Sequence, residues 1–503
     1  MRYISVTLLC AFVFNVGEAQ TQDKIQIGKV DSIYSKLLKE QRKIWIYTPD
    51  ITSGAQQSTK RYPVVYLLDG DGHFQSVVGM IQQLSQVNGN TILPEMIVVG
   101  IPNTDRTRDL TPTHIVSDPP MMDSNFSKNT GGGETFTAFL EKELMPHIDS
   151  FYNTQPYKIL IGHSFGGLAV MNILTNHTKL FNAYIAIDPS MWYDNNRFLK
   201  TTQNKLAAQK FDGRSLYLGI ANTMDANMTL EKMRKDTTVE TRHIRSIFAL
   251  DKSIKANAKN GLVYSSEYYG DDDHSSVPLV SEYDGLRFIF SWYRFKTSRG
   301  DFSDSTRPLA RKIDLHYQTL SKRFGFKILP PEEMVNGMGY FILGQKHYAK
   351  AAALFELNIK NYPTSGNTYD SYADLLLAKK DTAKAIANYQ KALSLGHSDE
   401  TKQKLDRLEG KSDFKPSTQD LEKYIGVFEF ESIQLTATTS IKNNALWISA
   451  SGYGDFELEP LSLHTFGVKG LAAQTVKFEI EDGKLVGMTN TQPNGIFKTK
   501  LKK

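Results

Sequence analysis

Cysteine is almost missing from this 503-residue chain, which has only Cys10. One cysteine cannot build a disulfide framework, so stability must come from buried apolar surface, and a chain this long can supply it. No run beyond Val16 approaches the ~18 apolar residues that cross a bilayer. Lys and Arg number 59 against 54 Asp and Glu, a formal charge of +5. No block of basic residues is interleaved with aromatics, so nucleic acid is not an expected partner. Neither an HExxH motif nor a paired-histidine spacing occurs, and no metal or cofactor is expected.

The first residues read MRYISVTLLCAFVFNVGEAQ. Arg2, an apolar run from Ile4 to Val16, and the small residues Gly17 and Ala19 make residues 1–19 a signal peptide. Cys10 follows Leu9, where a lipid anchor needs a small residue, so none is read. The expectation is an exported protein, periplasmic or secreted, that does not span the membrane.

Length suggests about three domains. From residue 23 to 295, near-continuous apolar strands such as RYPVVYLLDGDG, EMIVVGIPN, YKILIGH, AYIAIDPS and SLYLGIAN alternate with helical patterns. Strands buried on both faces read this way, and helical crossovers between them predict an α/β sheet. Residues 296–330 read as a polar linker with a helix. Residues 331–410 repeat at 34 residues, Ala351 matching Ala385 and Phe355 matching Tyr389, a tetratricopeptide-like spacing on which a protein partner could dock. Residues 417–503 carry short alternating strands and predict a small all-β barrel or sandwich.

The chemistry centres on YKILIGHSFGGLAVM, where Gly162, Ser164 and Gly166 form G-x-S-x-G between a strand and a helix. Such a turn is strained, lifts the serine above the sheet, and sets the Phe165 N–H where an oxyanion would form. Serine needs a base. His274, in DDDHSSVPLV, follows a strand near the end of the α/β region and is its last histidine. Triad order in this fold is Ser, acid, His, so the acid should fall between them beyond a strand end. Asp225, past SLYLGIAN, is the expected acid, with Glu231, Asp236 or a Ser–His dyad as alternatives; Asp273 is too close to His274 to turn back onto its ring. The glycine-rich turn LLDGDGHF supplies a second oxyanion donor, the Asp71 N–H, and His73 as a substrate contact.

PVVYLLDGDGHF, VVGIPNTDRTRDLTPT, GHSFGGLAVM, IAIDPSMWYD and DDDHSSVPLVSEYDGLRFIF, in that order, resemble the esterase D / enterochelin esterase-like α/β-hydrolases. The resemblance covers about Ile25 to Phe295. It implies an α/β-hydrolase fold, Ser164 and His274 as nucleophile and base, the Asp71 and Phe165 amides as oxyanion hole, and Trp192 as a substrate wall. It implies a serine carboxylesterase acting on a small-molecule or glycan ester, of siderophore, acetyl or feruloyl class. Acyl transfer to a sugar or lipid acceptor, or an interaction protein on an inert hydrolase scaffold, remain open. Arg106 and Arg108 read as holders of loops, and the C-terminal module resembles small β domains appended to secreted serine hydrolases.

Overall fold

The structure is a computed structural model that describes residues 25–49, 60–118, 121–409, 416–430, 435–471, 474–492 and 495–502. The expected signal peptide, with Cys10, lies outside the described residues. The chain divides into two compact units, with the break between Tyr293 and Arg294.

The first unit is built on eight strands: β1(Lys29–Ser35), β2(Glu40–Tyr47), β3(Tyr62–Leu68), β4(Ile97–Ile101), β5(Thr154–His163), β6(Ala183–Ile187), β7(Ser215–Ala221) and β8(Val263–Tyr269). Their order in the sheet is β1-β2-β4-β3-β5-β6-β7-β8. β1 pairs antiparallel with β2, and β2 with β4, while β3 through β8 run parallel. Every residue of β3, β4, β6 and β7 is buried, which is why these segments show no polar alternation. Four helices position the site: α1(Gly70–Ser85) after β3, α2(Phe165–Asn176) after β5, α3(Arg242–Ala256) after β7 and α4(Val277–Ile289) after β8. α2 packs on β5 and β6, and α4 on β6 and β7. This is an α/β-hydrolase sheet with the parallel strands all ending on one edge.

After a short helical turn at Arg299–Ser303, the second unit carries helices α5(Leu309–Phe324), α6(Glu332–Gly344), α7(Tyr348–Asn361), α8(Gly366–Ala378), α9(Thr382–Ser394) and α10(Asp399–Leu408). α6 packs on α7 and α8 on α9. A Cβ at Gly339 would strike the Phe355 ring, so glycine there lets α6 close onto α7. Eight strands then close a barrel: β9(Val427–Phe430), β10(Thr436–Lys442), β11(Ala445–Ala450), β12(Gly454–Ser462), β13(Thr465–Val468), β14(Thr475–Glu481), β15(Lys484–Gln492) and β16(Gly495–Leu501), with β16 pairing back to β9. The alternating pattern did not mark β12 and β13. β12 carries Pro460 beside a shift of register against β13, and a proline in a run argues against a strand.

Candidate active site

β5 ends at His163 and α2 starts at Phe165, leaving Ser164 alone at the bend with φ 58° and ψ −114°. That backbone is costly for a side-chain-bearing residue. It is held by backbone hydrogen bonds: Ser164 N–H donates to Ile187 O at 3.0 Å, and Ser190 N–H to Ser164 O at 3.1 Å. A Cβ on Gly162 would fall against the Gly166 carbonyl, so glycine is required there, while one on Gly166 would come within 3.0 Å of Asp69 Oδ2 and press on that carboxylate. The Ser164 hydroxyl lies 3.4 Å from the Ser190 hydroxyl.

His274 stands in the turn between β8 and α4 with its side chain 40% exposed. Its Nδ1 lies 2.6 Å from Asp188 Oδ2. Asp188 is therefore the carboxylate on this imidazole, and the expectation of Asp225 is corrected. Asp225 is exposed in the turn after β7, where its backbone carbonyl accepts from Met228 N–H. Glu231 pairs with Lys235 on an exposed helix, and Asp236 accepts from Thr238 and Thr241. Asp273 accepts from the N–H groups of Ser275 and Ser276 within its own turn.

Asp188 follows β6 directly, at φ 40°, with no solvent exposure. Its Oδ1 accepts from Ala221 N–H at 3.0 Å, and its Oδ2 also lies 2.8 Å from His243 Nε2. Burial alone would raise the carboxyl; the His243 and His274 hydrogen bonds outweigh it and hold Asp188 well below the usual carboxylate range. It thus stays ionised and faces His274 through Nδ1, leaving Nε2 outside that contact. His243, at the start of α3, carried no sequence signal.

A row of rings continues from His274. The His163 ring centroid lies 4.5 Å from that of His274 and 6.0 Å from that of His73. Burial, then the neighbouring His274, push His163 down to about 3, so it stays a neutral ring beside the base. His73 is held above its usual range by Glu282, whose buried carboxylate lies 3.0 Å from Nδ1. The His73 ring is thus tied to α4 through Nδ1, and its side chain keeps 19% of its surface exposed. Trp192 is 6% exposed and packs against the Phe165 ring and the Arg242 guanidinium, which leaves it little surface as a wall.

Asp71 and Phe165 lie in the first turns of α1 and α2, where N–H groups have no acceptor within the helix. The two helices follow neighbouring parallel strands. Arg106 clamps Asp69 through Nε and Nη2 at 2.6 and 2.9 Å and also donates to His163 O, tying the two turns together. Arg108 joins Glu40 and Asp109. Asp188, His243 and His274 could also hold a cation, their ligand atoms lying within 4.8 Å of one another. A cleft of 690 Å³ is lined by Asp149, Lys158 and His177, among others, and contains none of these residues; Lys158 lies five residues before the His163 end of β5.

Residues 35–273 match the Esterase family, and an IroE-like serine hydrolase from Shewanella oneidensis is 31% identical with a TM-score of 0.55, the match covering 66% of this chain and 98% of that one. The chain belongs to the esterase family. Among curated relatives, this esterase is 30% identical over 173 residues to the ferri-bacillibactin esterase BesA of Bacillus subtilis, covering 32% of the chain and 58% of that protein. It is 28% identical over 157 residues to a siderophore enterobactin esterase of Emericella nidulans, covering 28% and 50%. The chain thus spans half to three fifths of the length of these two relatives. A protein of Capnocytophaga ochracea, 18% identical, shares the fold with a TM-score of 0.56 over 76% of this chain and 99% of that one.

Proposed function

We propose that this esterase is a serine carboxylesterase that opens the ester bonds of a siderophore, with Ser164, His274 and Asp188 as its triad. The observation that carries the reading is the 2.6 Å contact between Asp188 and His274 in a sheet whose elbow carries Ser164. Ser164 Oγ attacks the ester carbonyl carbon while His274 Nε2 takes its proton. The oxyanion is met by the first-turn amides of Phe165 and Asp71. Collapse expels the alkoxide, which takes the proton from His274, and water then releases the acid by the same route. The siderophore class rests on the two relatives whose names state it.

Export through residues 1–19, a tetratricopeptide-type identity for α6 to α9 and a protein partner docked there belong to the same reading and rest on sequence spacing.

Hydrolysis of p-nitrophenyl acetate, with Ser164→Ala in parallel, tests the chemistry. The wild type should turn over and the variant should lose about a thousandfold or more. A second panel sets enterobactin and bacillibactin beside feruloyl and acetylated xylan esters. Higher kcat/KM on the glycan esters would overturn the substrate class while leaving the triad standing.

A further inference from the structure

Deep in the first unit, one carboxylate oxygen serves two imidazoles. Asp188 Oδ2 lies 2.6 Å from His274 Nδ1 and 2.8 Å from His243 Nε2, while Oδ1 accepts from Ala221 N–H at 3.0 Å. The terminal torsion of an aspartate is broad and sets no single orientation of its own. The plane of this carboxylate is therefore set by what its oxygens meet. Ala221 N–H holds one oxygen and His243 holds the other, without any help from His274. The imidazole of His274 thus meets an oxygen already fixed in place. Burial opposes the charge on Asp188, and the His243 hydrogen bond is the larger of the two imidazole bonds that overcome it.

His243 is itself held by its neighbours. It is the second residue of α3, which packs on β7 and β8. On one side of it Arg242 donates to Asp118 at 2.7 Å and lies over the Trp192 ring; on the other, Ile244 is fully buried. The His243 side chain is 12% exposed, and its ring stands edge-on to that of His274, with centroids 5.2 Å apart.

We propose that His243 is a positioning residue for ester hydrolysis: it fixes the plane of the Asp188 carboxylate, and through it the ring of His274. The inference rests on the triad of Ser164, His274 and Asp188 proposed above. His243 acts through the acid and the base, and no proton of the ester reaction passes to it.

The test is a double-mutant cycle in the full chain with p-nitrophenyl acetate, read against a Ser164→Ala blank. His243→Phe keeps a ring and removes the donor. It should lower kcat about ten- to a hundredfold and leave KM within about twofold. His243→Gln returns an amide N–H near the place of Nε2 and should recover to within about threefold of wild type. In an Asp188→Ala background, with no carboxylate to orient, His243→Phe should cost less than about twofold. A residue that only supported the fold would cost as much there as in the wild type, so an equal loss in both backgrounds would overturn the proposal. So would full activity of His243→Phe, or a His243→Gln variant as slow as His243→Phe. Asp188→Ala with near-wild-type activity would instead remove the triad on which the inference rests, and the inference with it.

Discussion

Asp188, at the end of β6, and Asp374, in α8, are both sealed from solvent, yet their surroundings move them in opposite directions. At Asp188 two imidazoles and a backbone N–H serve one carboxylate, which is held low. At Asp374 one ammonium, Lys404, is shared at 2.8 and 3.0 Å between the carboxylates of Asp370 and Asp374, and the Tyr340 and Tyr389 hydroxyls complete the cluster. Burial, with Asp370 nearby, outweighs Lys404 and the two tyrosine hydrogen bonds and pushes Asp374 up to about 6. Depth is the same at both; the two imidazole hydrogen bonds outweigh burial at Asp188, whereas Lys404 and the two hydroxyls do not outweigh it at Asp374. Access then decides the use. The His274 side chain is 40% exposed and within reach of solvent, whereas the Lys404 side chain is only 16% exposed and works as an internal tie.

The largest effect should come from Asp188→Asn, which keeps the shape and removes the charge. kcat/KM for a p-nitrophenyl ester should fall by about a thousandfold or more. Asp225→Asn should stay within twofold of wild type; a large loss there with a small one at 188 would reverse the assignment of the acid. Next comes Asp374→Leu, which leaves Lys404 paired with Asp370 and takes the acceptor from the Tyr340 and Tyr389 hydroxyls. A buried donor left unpaired costs about 1–3 kcal/mol. Calorimetry should show an unfolding transition shifted down by several degrees while esterase activity at 25 °C stays unchanged.

The smallest effect is one of pH. Asp374 is raised from its ordinary value to about 6, so its contribution is complete near pH 4 and is lost as pH rises through 6. The stability gap between wild type and Asp374→Asn should therefore narrow from pH 4 to pH 6.5, read from urea midpoints. Asp188 has the opposite sign. Its contribution is complete above the ordinary carboxylate value and is lost only as pH falls below it. A gap that widens with pH would mean that Lys404 holds Asp374 low after all.

The strands of the hydrolase sheet are legible in the sequence because apolar runs buried on both faces have no other soluble use, and the bend at Ser164 because glycines are forced there. The acid was not. Chain order and a strand end admit both Asp188 and Asp225, and neither rule tells which strand end faces His274. That choice belongs to the register of β6, β7 and β8, a tertiary property. His243 lies at the start of an ordinary amphipathic helix, and nothing local distinguishes it. Glu282 sits within the quoted run that follows His274, but its partner is 209 residues away at His73. In the barrel, Pro460 hid the β12–β13 hairpin from an alternation rule.

The backbone hydrogen bonds past the strand ends have a mechanical meaning. Ser164 N–H holds the end of β6, Asp188 N–H donates to Gly219 O in β7 at 2.8 Å, and Asn222 N–H donates to Asp272 O beside the His274 turn at 2.8 Å. The loops of Ser164, Asp188 and His274 are thus linked in series, like stitches along one seam. A Cβ at Gly219 would collide with Ser281 Oγ of α4, so a methyl group far from the ester would pull the middle stitch and shift the distance between serine and histidine. Alignment of the reacting groups is a property of that seam as a whole.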